Sequence, residues 1–351
     1  MPLISSLGTL NAVNFGLISP NYNVLSASGI YYKWSSNGFG TAYTSVSGSN
    51  NDVSFSPNKK YVAVAVGSTL TSAAFPWSSS NGIGAAFTPP ATTLPGAPNG
   101  VCYTRTSLSI LYSHSTTPGA SAYPWSAAGW GTKWANPATA VTTGNGMCAS
   151  PVGNYIAYGS STNPNFINAY NFTDASGFGS RIANPATLPT GRGLKTTFSP
   201  DGNNIAQAVG SLAGEVSAYA WTAGAYGTKY VSTSGVPAGC NTIWAAFNNK
   251  GTYVAFTCGA SPVILVYPFT SGTGFGTKVS NPATLPPATG LGISSVTGTN
   301  VAFSKSSGEI AVTFPSTPFV YCYPFSSSLG FGTRFSTPST IPAAGYGCTF
   351  K

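Results

Sequence analysis

The sequence predicts an all-β chain that forms one domain over residues 1–351, a seven-bladed propeller of four-stranded antiparallel blades closed by both chain termini. Three observations predict it. An aromatic cluster with a glycine turn behind it recurs seven times, and a pair of short apolar strands joined by a Ser-Pro-type turn precedes most copies. The third is composition: 42 Gly and 27 Pro accompany 42% hydrophobic and 13% aromatic residues, which suits short strands broken by tight turns rather than a disordered chain.

The aromatic clusters begin at Tyr32, Phe75, Tyr123, Tyr170, Tyr219, Tyr267 and Tyr323, a period of about 48 residues. Each runs aromatic, any residue, aromatic, and then enters a turn such as Gly38-Phe39-Gly40, Gly129-Trp130-Gly131, Gly177-Phe178-Gly179 or Gly274-Phe275-Gly276. This gives the third strand and its reversal into a fourth. About twenty residues earlier come the first and second strands, clearest in Thr196-Thr197-Phe198-Ser199-Pro200-Asp201-Gly202 before Ile205-Ala206. Proline and Asp-Gly supply the backbone angles that reverse antiparallel strands. A four-stranded sheet with two apolar faces needs cover on both, and radial stacking provides it. Trp34, Trp77, Trp125, Phe172, Trp221, Phe269 and Phe325 are therefore expected to fill the spaces between blades.

At the ends, Gly347-Cys348-Thr349-Phe350-Lys351 looks like an inner strand that then stops. Its partners are expected near the start, where Ile18-Ser19-Pro20 reads as the turn and Asn23-Val24-Leu25-Ser26 as the second strand, with Val13-Asn14-Phe15 a second candidate for the inner strand itself.

Charged residues are only 5% of the chain, about a fifth of the ~25% usual in soluble domains. The surface is consequently Ser, Thr, Asn and Gly, which can meet a neighbour without desolvating many ions. The formal charge of +9 favours anionic partners. Its dispersal, with Lys59-Lys60 the one adjacent pair, argues against dedicated nucleic-acid binding. The first residues carry no basic and continuous apolar segment of a signal peptide, and no apolar run approaches a membrane span of ~20 residues.

These residues resemble the WD-repeat and lactonase-like propeller pattern, although no unit has the Trp-Asp or Gly-His pairs of true WD repeats. The Tyr-Pro-Trp/Phe and Gly-Phe-Gly-Thr-Lys unit, followed by Asn-Pro-Ala-Thr-Leu-Pro at Asn184 to Pro189 and Asn281 to Pro286, resembles propellers encoded by tailed bacteriophages. That resemblance implies a virion protein: a capsid decoration, spike or tail-associated module assembled in the host cytoplasm.

The titratable inventory is Asp52, Asp174, Asp201, Glu215, Glu309 and one histidine, His114. Asp201 suits its turn, His114 reads as an exposed loop residue, and the acids occupy unrelated positions in their repeats. No catalytic triad, metal centre or cofactor is expected. Cys102, Cys148, Cys240, Cys258, Cys322 and Cys348 read as buried free thiols at strand positions, with no C-x-x-C pair. One repeated polar feature stands out: Lys133, Arg181, Lys229, Lys278 and Arg334 follow five of the glycine turns, with Ala42 and Ala86 in the other two comparable places. They either protect sheet edges or bind an anionic glycan or acidic neighbour.

The function expected from the sequence is a non-catalytic viral structural or adhesion protein, its partners other virion proteins and an anionic host-surface glycan. A cellular scaffold propeller and a lactonase-like or glycan-active enzyme are the alternatives.

Overall fold

The computed structural model describes residues 23–25, 30–35, 37–43, 50–67, 72–210, 215–288, 299–341 and 347–350. The candidate segments Val13-Asn14-Phe15 and Ile18-Ser19-Pro20 lie outside them. The described residues contain no helix and form a β-propeller of four-stranded antiparallel blades.

Strands β1 (Asn23–Leu25), β2 (Tyr31–Ser35) and β3 (Gly38–Ala42) come first, then β4 to β7 (Asn50–Phe55, Tyr61–Val66, Ser72–Ser78, Gly82–Ile83) and β8 to β11 (Pro98–Tyr103, Ser109–His114, Ala120–Ser126, Gly129–Trp130). Next are β12 to β15 (Met147–Ala149, Tyr155–Gly159, Ile167–Thr173, Gly177–Arg181) and β16 to β19 (Arg192–Phe198, Asn204–Gly210, Val216–Thr222, Ala225–Ser232). The chain ends with β20 to β23 (Thr242–Phe247, Tyr253–Cys258, Ile264–Thr270, Gly274–Phe275), β24 to β27 (Asn300–Phe303, Glu309–Thr313, Val320–Ser326, Gly330–Phe331) and β28 (Thr349–Phe350). Six sheets are blades of four consecutive strands, one fewer than the seven expected. The remaining strands form a sheet of order β28-β1-β2-β3.

Blades pack large against small. Tyr103, Tyr112, Tyr123 and Trp125 of one sheet meet Ala63, Ala65 and Ala74 of the sheet before it. Tyr219 and Trp221 likewise meet Ala157 and Ala169, and Phe256, Tyr267 and Phe269 meet Ala206, Ala208 and Ala218. Alternate side chains of a strand point to opposite faces, so a strand such as Tyr61-Val62-Ala63-Val64-Ala65 offers alanines to one neighbour and larger groups to the other. All seven third-strand rings are buried, from Trp34 at 1% exposure to Trp77 at 6%. Several bridge blades edge to face: Trp125 meets Tyr61 and Phe87, Trp221 meets Tyr155, and Phe325 meets Tyr253.

The tyrosine that opens every cluster except the one at Phe75 acts as a latch. Tyr123, Tyr170, Tyr219 and Tyr323 donate their hydroxyls to the carbonyls of Thr92, Thr139, Thr187 and Thr284, in the exit loop of the preceding blade, at 2.5–3.1 Å. Thr139, Thr187 and Thr284 are the threonines of the Asn-Pro-Ala-Thr repeats, so the two sequence motifs are halves of one inter-blade contact. The glycine turn is equally specific. Gly177 has φ +75°, and a Cβ there would come 2.8 Å from Trp134 of the preceding blade.

Candidate functional site

First-to-second-strand hairpins share a scaffold on one face of the propeller. Ser56 Oγ accepts the Tyr61 amide and Ser199 Oγ the Asn204 amide, each at 3.0 Å, closing tight turns. In three hairpins that depart from the Ser-Pro-x-Gly pattern, a cation occupies the proline or the glycine place. Arg105 and Lys305 stand where other hairpins have Pro151 and Pro200, and Lys59 takes the place of Gly202 with φ 62°. A lysine in that left-handed conformation is strained relative to glycine.

These three cations line one cavity of about 440 Å³ at the mouth of the central channel, with walls from β4, β8, β12 and β28. Ser54, Ser56, Ser150 and Thr349 add hydroxyls, and Phe55, Tyr103 and Phe350 add ring surface. No carboxylate lines it among the described residues. Lys59 and Lys305 are close enough for repulsion, and burial together with Lys59 holds the Lys305 ammonium below its usual pKa. Burial pushes the Tyr103 phenol well up, so it stays neutral. A smaller adjoining recess shares Arg105, Ala149 and Ser150 and holds Asp174. Its carboxylate accepts hydrogen bonds from Thr104 Oγ1 at 2.8 Å and from Thr106 Oγ1.

Below the mouth the channel is crossed by an ion pair. Lys195 Nζ lies 3.0 Å from Asp52 Oδ2, the two side chains 11% and 3% exposed. Lys195 also donates to the Met147 carbonyl at 2.9 Å and sits 4.2 Å from the centre of the Trp244 ring. Asp52 accepts the Val53 and Val101 amides at 2.8 and 3.1 Å. Local bulges aim these groups: register shifts fall between Asn50 and Asp52, Gly193 and Thr196, and Thr242 and Ala245. Burial raises the Asp52 pKa, opposed by Lys195 and the two amides.

The five cations singled out by the sequence belong to five different blades, Arg181 and Lys229 on outer strands and Lys133, Lys278 and Arg334 just after them, and are not brought together. Lys133, Arg181 and Lys278 each donate to the asparagine three residues on, Asn136, Asn184 and Asn281, which explains the recurring cation-x-x-Asn-Pro spacing. Lys229 pairs with Glu215 at 3.1 Å, and Arg334 lies 4.3 Å from the Tyr321 ring centre.

Two sequence readings are corrected here. His114 is fully buried at the end of β9 rather than exposed in a loop. Nδ1 donates to the Thr116 carbonyl at 2.8 Å, leaving Nε2 to accept from Ser121 Oγ at 3.0 Å. Burial lowers its pKa to about 4. Cys240, two residues before β20, and Cys258, the last residue of β21, are joined in a disulfide with their Cα atoms 5.7 Å apart. The other four cysteines are free. Burial raises the Cys102 thiol well above its usual range and Cys148 to about 11, so neither is a ready nucleophile.

Sequence reasoning missed Lys59, Arg105 and Lys305 as a set, although aligning the hairpins of successive repeats exposes all three. It also missed the Asp52–Lys195 pair. The partners are 143 residues apart, and nothing local marks them.

No protein-family model and no curated protein matches the chain. Solved structures do. A candidate 6-phosphogluconolactonase from Bacteroides fragilis aligns with TM-score 0.71 at 11% identity, covering 95% of this chain and 99% of its own. The periplasmic gluconolactonase of Pseudomonas aeruginosa aligns with TM-score 0.70 at 12% identity, over 94% and 98%. A protein of unknown function from Desulfotomaculum acetoxidans gives 0.67 at 13%, over 94% and 98%. The expectation of a non-catalytic viral structural protein is thereby corrected. Its support was a pattern of repeats that many propellers can share, whereas several of the similar solved structures carry lactonase names. At these identities the likeness establishes the propeller fold.

Proposed function

We propose that this chain is a lactonase-like propeller enzyme that hydrolyses a small, anionic, polyhydroxylated lactone at the cation-lined channel mouth. The observation that carries the reading is the convergence of Lys59, Arg105 and Lys305, with serine and threonine hydroxyls, on one cavity of sugar-acid size. Similarity to proteins named as lactonases supports it at the level of fold. In the reaction water adds to the lactone carbonyl, the carbonyl oxygen becomes an oxyanion, and collapse breaks the ring C–O bond. The ring oxygen takes a proton and an open hydroxy acid leaves. Cations fixed around the cavity stabilise the developing oxyanion and hold the substrate's own negative group. Asp174, in the recess that shares Arg105, orients the attacking water.

We also propose that the ring counts seven blades and closes through the sheet β28-β1-β2-β3. Val24 pairs with Phe350 and Leu25 with Thr349, and β28 lies beside both β24 and β4. Tyr32 latches to the Thr340 carbonyl at 2.6 Å, the same contact that joins other neighbouring blades. Trp34 packs on Phe335 and Phe350.

The test of the activity is titration of acid release from 6-phosphogluconolactone and gluconolactone by the purified chain. Saturable release above the spontaneous rate, faster for the phosphorylated lactone, supports the reading. Release equal to that in buffer on both lactones contradicts it.

A further inference from the structure

We infer that the buried Asp52–Lys195 pair is the positioning element of the channel mouth: it anchors three of the cavity's walls at one point and closes the channel beneath them. The inference rests on the mouth being the ligand site proposed above. Each wall leaves the pair within a few residues. On β4, Asp52 itself holds the Val53 amide, and the strand continues into Val53, Ser54 and Phe55 of the cavity wall. On β8, the Val101 amide is bound by Asp52, and Tyr103 and Arg105 follow. The third wall, on β12, is tied by the Met147 carbonyl to Lys195, and Ala149 and Ser150 follow. Even the fourth wall touches this point, since a Cβ on Gly347 would meet Asp52 Cα at 3.3 Å.

Packing in a propeller otherwise joins each blade to its two neighbours. This pair reaches from β4 across the channel to β16, and through Trp244 to β20. Two buried charges are an expensive way to gain stability, because an apolar pair of similar volume does as well or better. What an apolar pair cannot do is hold the Val101 amide and the Met147 carbonyl, whose positions set where Arg105 and Ser150 stand.

The test is the full chain carrying Asp52→Asn with Lys195→Met, which removes both charges at nearly constant volume, compared with Lys195→Arg, which keeps the charge. Amide hydrogen exchange is read by segment. We expect the double variant to unfold cooperatively, with exchange in segments 53–57, 101–106 and 149–151 at least about tenfold faster than in the parent and segment 264–270 unchanged. Lys195→Arg restores most of the protection and serves as the folded comparison if the double variant does not fold. Binding of 6-phosphogluconate to the double variant is expected to weaken at least about tenfold. Exchange that is unchanged, or raised equally everywhere, overturns the positioning role. If the three segments do loosen but the parent binds no 6-phosphogluconate, the positioning role stands and the lactonase reading falls.

Discussion

At the scale of single residues, buried ionisable groups govern the response to pH and substitution. His114 is neutral in the folded protein because burial holds its pKa at about 4, whereas the unfolded chain takes up a proton near 6.5. Its contribution to stability is thus complete above about pH 6.5 and lost as pH falls toward 4, a loss on the order of 3 kcal/mol. The replacement His114→Gln is expected to flatten the fall of Tm across that window, and parallel curves for parent and variant would count against it. Asp52→Asn alone strands the Lys195 ammonium and is expected to destabilise by roughly 3–5 kcal/mol. Adding Lys195→Met should recover most of that loss in a denaturant titration; a further loss would mean that the pair itself is strongly net stabilising.

Among elements, the aromatic latch and the glycine turn account for the sequence repeat. Tyr219→Phe removes the hydrogen bond to Thr187 and is expected to cost about 1 kcal/mol, measured by chemical denaturation. Gly177→Ala places a Cβ against Trp134 at a positive φ and is expected to cost about 2 kcal/mol or more. Equal stabilities of either variant and parent would remove that device from the account. Strand positions and the seven buried rings were legible because they recur with the blade, and periodic burial leaves a periodic pattern. The cavity cations were not, because they are exceptions to the repeat: Arg105 and Lys305 replace proline, and Lys59 replaces glycine. Lys133, Arg181 and Lys278 were conspicuous for the opposite reason, as regular partners of Asn136, Asn184 and Asn281. His114 was misread because its sequence neighbours are loop-like, while β9 carries it into the core.

For the whole molecule, sparse charge concentrates the electrostatics. Lys195 and Lys229 pair with carboxylates, whereas the mouth cavity is lined by Lys59, Arg105 and Lys305 and by no carboxylate among the described residues. A field of this kind recruits anions and weakens with ionic strength. Ring closure through β28 makes a second claim at this scale. Removing residues 347–350 strips the inner strand from that sheet and exposes the edges of its neighbours. The shortened chain is expected to lose several degrees of Tm and to self-associate in sedimentation, and a monomer as stable as the parent would contradict closure.

The most direct measurement compares kcat/KM for 6-phosphogluconolactone between the parent and a triple variant with Lys59→Met, Arg105→Met and Lys305→Met, at matched Tm. The account predicts a fall of at least about a hundredfold without loss of folding. Equal kcat/KM in the two proteins would show that hydrolysis, if present, takes place elsewhere on the propeller.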